Sequence, residues 1–194
     1  AHVGSHNVVI KATDAAGAFV NQSFTITVSN TNDTPTISSS PVTSVNEDSA
    51  YSYTVAASDP DAGDTLTLSA TTLPSWLSFN ASNKTLSGTP TNAHVGSHNV
   101  VIKATDAAGA FVNQSFTITV SNTNDAPIIV TKPPSIISEN SNYSYTVSAS
   151  DVDSGDSITY AATALPSWLG FNALTGVLTG TTSSSEKGNH SVIL

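Results

Sequence analysis

Residues 1–33, AHVGSHNVVIKATDAAGAFVNQSFTITVSNTND, recur unchanged at 93–125, an offset of 92. The same offset joins SAYSYTVAASDPDAGD (49–64) to SNYSYTVSASDVDSGD (141–156), and LPSWLSFN (73–80) to LPSWLGFN (165–172), with no insertion or deletion. A fixed period marks an array of like domains, so whatever fold one repeat adopts, its neighbours adopt too. Read from this phase, the chain holds the end of one repeat (1–35), one complete repeat (36–127) and most of a third (128–194). The boundaries fall at NTNDTP (30–35) and NTNDAP (122–127), Asn/Asp-rich turns closed by Pro that suit a domain junction.

Within the complete repeat the apolar period is two. Tyr51, Tyr53, Val55 and Ala57 alternate with polar residues, Leu66 and Leu68 continue the pattern, and Val100, Ile102 and Ala104 and then Phe116, Ile118 and Val120 alternate again. That is the pattern of half-buried strands. Turn signals at 61–63, 87–90 and 107–109 separate them, and helical periodicity is confined to one expected turn near Trp76. About seven short strands per repeat predict an all-β fold of tandem Ig-like antiparallel sandwiches. Trp76, Leu77 and Phe79 are expected to plug the space between the sheets. The alternative for Trp76, a sugar-stacking platform, is disfavoured by its apolar neighbours Leu73, Leu77 and Phe79.

Only 10% of residues are charged and the net charge is −9. With five Lys and Arg in all, nucleic acid binding has no basis, because displacing counterions takes clustered cations. A cationic partner is favoured instead. The absence of Cys excludes disulfides and thiolate metal sites, and no apolar run approaches the length of a membrane helix. The absence of Met points to a segment of a longer protein. His2, His6, His94, His98 and His190 come from one region of the repeat, and the pair four residues apart lies on a loop-to-strand segment ill suited to zinc. Asn-x-Ser/Thr at Asn21, Asn80, Asn83, Asn113, Asn142 and Asn189 is what a chain rich in Ser and Asn shows by chance. No nucleophile elbow or phosphate-binding loop is present.

The acidic residues are not scattered. Asp59, Asp61, Asp64 and Asp106 lie in the complete repeat with Glu47 and Asp48 near its start; Asp33 and Asp125 lie in the linkers. Glu139, Asp151, Asp153 and Asp156 repeat the set. Like charges repel, so gathering several without a cation is costly. Such oxygen clusters suit Ca²⁺, a hard ion taking six to eight oxygens. The competing reading is that these carboxylates solvate loops and cap turns. Paired carboxylates also serve glycoside hydrolysis, but their recurrence in every repeat favours metal joints over an array of active sites.

LPSWLSFNASNKTLSGTP (73–90), GSHNVVIKATDAAG (96–109) and FTITVSNTNDAP (116–127) together resemble the cadherin-like repeat of dystroglycan type and the related Putative Ig repeats of large bacterial surface proteins. The resemblance covers the complete repeat and both partial ones. It implies an Ig-like sandwich used in long extracellular arrays for adhesion or as a stalk. It also implies calcium between successive domains, with Asn30, Asn32, Asp33, Asp59, Asp61 and Asp106 at the first junction. At the second the implied set is Glu47, Asn122, Asn124, Asp125, Asp151 and Asp153. The linker has Asn where cadherins have their first Asp, and Ser87-Gly88-Thr89-Pro90 replaces an acidic D-x-E, so fewer ions per junction are expected.

The expected function is a secreted or cell-surface spacer or adhesive repeat without enzymatic activity; a carbohydrate-binding module is the alternative, with Tyr51, Tyr53 and Phe111 as its few aromatic candidates. The expected partners are neighbouring repeats and a cell-surface glycan or protein. Residues 1–35 should supply the last two strands of a sandwich and 128–194 the first five. Each piece leaves an open edge or an uncovered core face. The third repeat of one chain could therefore pair with the first segment of the next, head to tail. A continuous longer chain is the reading the sequence favours.

Overall fold

Among the described residues, alternation becomes strand pairing in both units of the chain. The computed structural model describes residues 2–194, which form two units divided between Ser121 and Asn122. In the first unit the strands are β1 (Gly4–Thr13), β2 (Phe19–Val28), β3 (Thr36–Ile37), β4 (Ser44–Asn46), β5 (Tyr51–Thr54) and β6 (Ala57–Ser58). They continue with β7 (Thr67–Thr72), β8 (Leu77–Asn80), β9 (Thr85–Gly88), β10 (Gly96–Thr105) and β11 (Phe111–Ser121). The complete repeat builds one sheet in the order β4-β11-β10-β7 and another in the order β5-β9-β8, with β3 pairing β6.

The core is the meeting of these sheets. Leu68, Val100, Ile102, Ala104, Ile118 and Val120 from one sheet pack with Tyr51, Tyr53, Leu77 and Leu86 from the other. Trp76 lies buried in the same cluster, edge-on to Tyr51 at 5.8 Å between ring centroids. The Tyr hydroxyls reach polar partners at the rim: Tyr51 donates to the Val42 carbonyl at 2.7 Å and Tyr53 to Gln114 Oε1 at 2.8 Å. Burial, reinforced by the charge of Tyr53, pushes the Tyr51 hydroxyl up to about 12, so it stays protonated and donating.

One detail differs from the sequence expectation. Around Trp76 the chain makes a tight turn, closed by the Leu77 N–H to the Pro74 carbonyl at 3.1 Å, and passes directly into β8. The short 3₁₀ helix instead spans Asn92–His94. His94 Nδ1 holds it by accepting the Thr91 N–H at 3.0 Å, a local cap that apolar periodicity cannot reveal.

The hairpin β1–β2 has the sequence and register of β10–β11: Gly4 faces Val28 as Gly96 faces Val120, and Thr13 faces Phe19 as Thr105 faces Phe111. Each turn is tied by its Asp. Asp14 Oδ1 accepts the Ala16 and Ala18 N–H groups, and Asp106 Oδ1 accepts that of Ala110. Gly17 and Gly109 take φ near +92° and +96°, which a side chain would disfavour.

The second unit contains β12 (Ile128–Ile129), β13 (Asn142–Thr146), β14 (Ala149–Ser150), β15 (Leu169–Asn172) and β16 (Val177–Thr181). β12 pairs β14, and β13-β16-β15 form a three-stranded sheet. Its core is Tyr145, Val147 and Leu178, flanked by Tyr143, Tyr160, Leu169, Phe171 and Leu194. Among the described residues no helix is long and apolar enough to cross a membrane.

Candidate metal centre

The turn after β6, the hairpin turn after β10 and the linker 29–35 converge at one end of the complete repeat. Carboxylate oxygens of Asp59, Asp64 and Asp106 all lie within 4.8 Å of one another. Two oxygens bound to one Ca²⁺ at about 2.3–2.6 Å cannot be more than about 5 Å apart, so this spacing fits a shared ion. Asp59 Oδ1 is occupied, accepting the Asp61 N–H at 2.8 Å, but Asp59 Oδ2 is buried with no hydrogen-bond partner. A buried carboxylate oxygen without a donor is a costly arrangement that a cation would relieve. The donor set, all hard carboxylate oxygen, suits Ca²⁺ rather than a softer metal.

The two Asp of Asp59-Pro60-Asp61 separate in role. Asp59 faces the cluster, whereas Asp61 grips the linker: its Oδ1 accepts from Asn30 Nδ2 at 2.9 Å and its Oδ2 from the Asp33 N–H at 2.7 Å. Asn32 spans to the hairpin turn, donating through Nδ2 to Asp106 Oδ2 at 2.9 Å and to the Asp33 carbonyl at 3.1 Å. Asp106 therefore caps its own turn with one oxygen and meets the linker with the other. Capping and site-building are not alternatives here.

Charge follows this geometry. The Asn32 amide, helped by the backbone N–H groups of Ala110, Gly109 and Ala108, holds the Asp106 carboxyl below the usual carboxylate range despite opposing desolvation. Asp64 moves the other way. Loss of hydration raises it first, and the negative charges of Asp59, Asp106 and Asp61 raise it further. Its surroundings are anionic, as a cation site requires. Asp64 is the member that the cadherin resemblance did not supply, and the signal available for it was its recurrence as Asp156.

The second unit repeats part of this arrangement. The Asp125 N–H donates to Asp153 Oδ2 at 2.7 Å, Asn124 Nδ2 to the Asp125 carbonyl at 2.9 Å, and the Asp153 N–H to Asp151 Oδ1 at 2.9 Å. Oxygens of Asp151, Asp153 and Asp156 lie within 4.8 Å of one another. Asn122 is exposed. Glu47, in the first unit, is 1% exposed just past β4, with its N–H on the Ser121 carbonyl at 3.0 Å. The histidines have structural duties: His98 Nε2 lies 2.6 Å from the His94 carbonyl and its ring meets Trp76 edge-on at 5.8 Å.

Comparison with known proteins agrees with this architecture. The family described as Putative Ig domain matches residues 34–121 and 126–194. The Serine-rich adhesin for platelets of Staphylococcus aureus strain MRSA252 is 34% identical over 119 residues, 59% of this chain and 8% of that protein. Its counterpart in strain MSSA476 shows the same identity over 5% of its length. The chain thus spans a small part of the curated relatives it matches. Among solved structures, PcdhgB3 EC1-4 superposes with a TM-score of 0.62 at 16% identity, covering 96% of this chain and 49% of that one. Human CDH23 EC21-23 gives 0.57 at 20% identity, covering 95% and 66%. These likenesses show the fold: tandem cadherin-like, Ig-like β-sandwich repeats.

Proposed function

The chain belongs to the Putative Ig domain family, and we propose that it is a spacer segment of a secreted, adhesin-type surface protein whose repeat junctions are stiffened by Ca²⁺. The observation that carries the reading is the buried, unpartnered Oδ2 of Asp59, whose carboxylate clusters with those of Asp64 and Asp106 within 4.8 Å, beside a linker already hydrogen-bonded to Asp61 and Asp106. Asp59, Asp64 and Asp106 would hold the ion, which supplies positive charge to an anionic cluster. Asn30, Asn32 and Asp33 would be fixed by Asp61 and Asp106. An ion that binds only the docked linker stabilises docking by mass action, by about 2.7 kcal/mol at a hundredfold excess over its Kd. At the second junction Asn122, Asn124, Asp125, Asp151 and Asp153, with Glu47, are proposed for the same role.

The proposed partners are neighbouring repeats, within one chain or from a second copy, and a cell-surface glycan or protein. No catalytic role is assigned. A carbohydrate-binding module would need an open aromatic face, and the candidates weigh against it: Tyr51 and Tyr53 are core, and Lys103 Nζ sits 3.9 Å over the exposed Phe111 ring. Small-angle scattering tests the stiffening. The maximum dimension is expected to differ between millimolar calcium and chelator, with the difference absent in Asp59→Asn; identical profiles in both buffers would refute stiffening.

A further inference from the structure

The linker 29–35 is held to the complete repeat by hydrogen bonds of its own. Both oxygens of the Asp61 carboxylate are taken by linker donors: Oδ1 by Asn30 Nδ2 at 2.9 Å and Oδ2 by the Asp33 N–H at 2.7 Å. Asn32 Nδ2 makes a third attachment, to Asp106 Oδ2 at 2.9 Å. Pro35, just beyond, is fully buried. Residues 30, 32, 33 and 35 thus fix the linker along its length.

Asp61 is itself anchored. Its N–H donates to Asp59 Oδ1 at 2.8 Å and its carbonyl accepts the Asp64 N–H at 3.3 Å, so the turn fixes the residue from both sides. Among the described residues, its carboxylate lies outside the group formed by Asp59, Asp64 and Asp106. A carboxylate that accepts a donor on each oxygen has its charge met by hydrogen bonds, and such bonds are stronger to an ionised acceptor than to a neutral one. The residue type at position 30 decides this. An amide donates to Asp61. A carboxylate there would set one anion against another at hydrogen-bond distance, an arrangement that a cation is needed to offset. The same backbone contact recurs at the offset of 92, where the Asp125 N–H donates to Asp153 Oδ2, also at 2.7 Å.

We propose that Asn30 is a positioning residue whose amide stands where a cation would otherwise be needed, so that the linker is attached to the complete repeat without metal. Asn30, Asn32 and Asp61 form this latch, and Asp59, Asp64 and Asp106 form the separate ion site. The latch rests on the reading of 29–35 as a repeat junction and not on calcium binding. Calcium then stiffens a linker that is already attached, and its removal leaves the attachment in place.

Amide hydrogen exchange of the full chain in chelator, followed residue by residue by NMR, tests the latch. The Asp33 N–H should exchange about tenfold more slowly than an open-chain amide, or slower still. Asp61→Ala should remove that protection. Asn30→Asp should remove it in chelator and recover it when millimolar calcium is added. Thr31→Ala, on an exposed linker residue, should keep it. Slow exchange at Ile102 and Ile118, both in the core, reports that each variant remains folded. Open-chain exchange at Asp33 of the unmodified chain in chelator would overturn the proposal, as would protection that survives Asp61→Ala. So would an Asn30→Asp variant that stays protected in chelator or that calcium fails to restore. The calcium reading fails separately, by titration of the unmodified chain, and its failure leaves the latch standing.

Discussion

Trp76→Ala should destabilise the complete repeat by about 3–5 kcal/mol. The indole is buried in the main cluster, edge-on to Tyr51 and His98 at 5.8 Å each, and no neighbouring side chain can collapse far enough to refill its volume. Against a typical domain stability of about 5–15 kcal/mol, this is a large fraction. Trp76→Phe should cost much less, because Trp76 Nε1 is buried without a partner and no hydrogen bond is lost with it. Urea unfolding followed by circular dichroism measures both. A loss below about 1 kcal/mol for Trp76→Ala would contradict the core assignment and return the ring to the sugar-platform reading.

Gly88→Ala is the second large effect. A Cβ at Gly88 would stand 2.0 Å from the Trp76 carbonyl oxygen and 3.0 Å from its carbon. The obstacle is backbone, fixed because β8 and β9 pair there, Leu77 against Gly88. Overpacking of this kind costs up to about 3 kcal/mol and occasionally more, and a clash with main chain belongs at the upper end. The geometry recurs: a Cβ on Gly180 would meet the Trp168 carbonyl at 2.1 Å. The neighbouring Ser87→Ala, on an exposed side chain, should leave stability within about 0.5 kcal/mol. A Gly88→Ala variant as stable as the parent would mean the two strands separate more readily than their pairing indicates.

Most of the fold was legible because period-two alternation reports burial directly. Val100, Ile102, Ala104, Ile118 and Val120 all turn inward as the pattern requires. In β1–β2 the same alternation accompanies the hairpin pairing, with Ile10 and Ile26 half exposed. The helical turn was misplaced because a side-chain cap from His94 leaves no mark on hydrophobic period. At the acidic site, residue type and recurrence brought out Asp59, Asp61, Asp64 and Asp106, and the cadherin resemblance left out Asp64. They could not show that Asp61 holds the linker while Asp64 joins the cluster, a division set by how the turn 59–64 folds back on itself. Gly88 was visible only as part of a motif; its close approach to Trp76 is a property of packed strands.

Calorimetric titration of calcium into chelator-treated protein tests the account most directly. Saturable binding with a Kd of about 10⁻⁴–10⁻³ M, the range of extracellular modules, is the expected result. Asp59→Asn and Asp64→Asn should each weaken it strongly, while Ser87→Ala leaves it unchanged. Absence of binding heat at millimolar calcium, or binding that survives Asp59→Asn and Asp64→Asn together, would contradict calcium-stiffened junctions and leave the acidic turns as linker clamps alone.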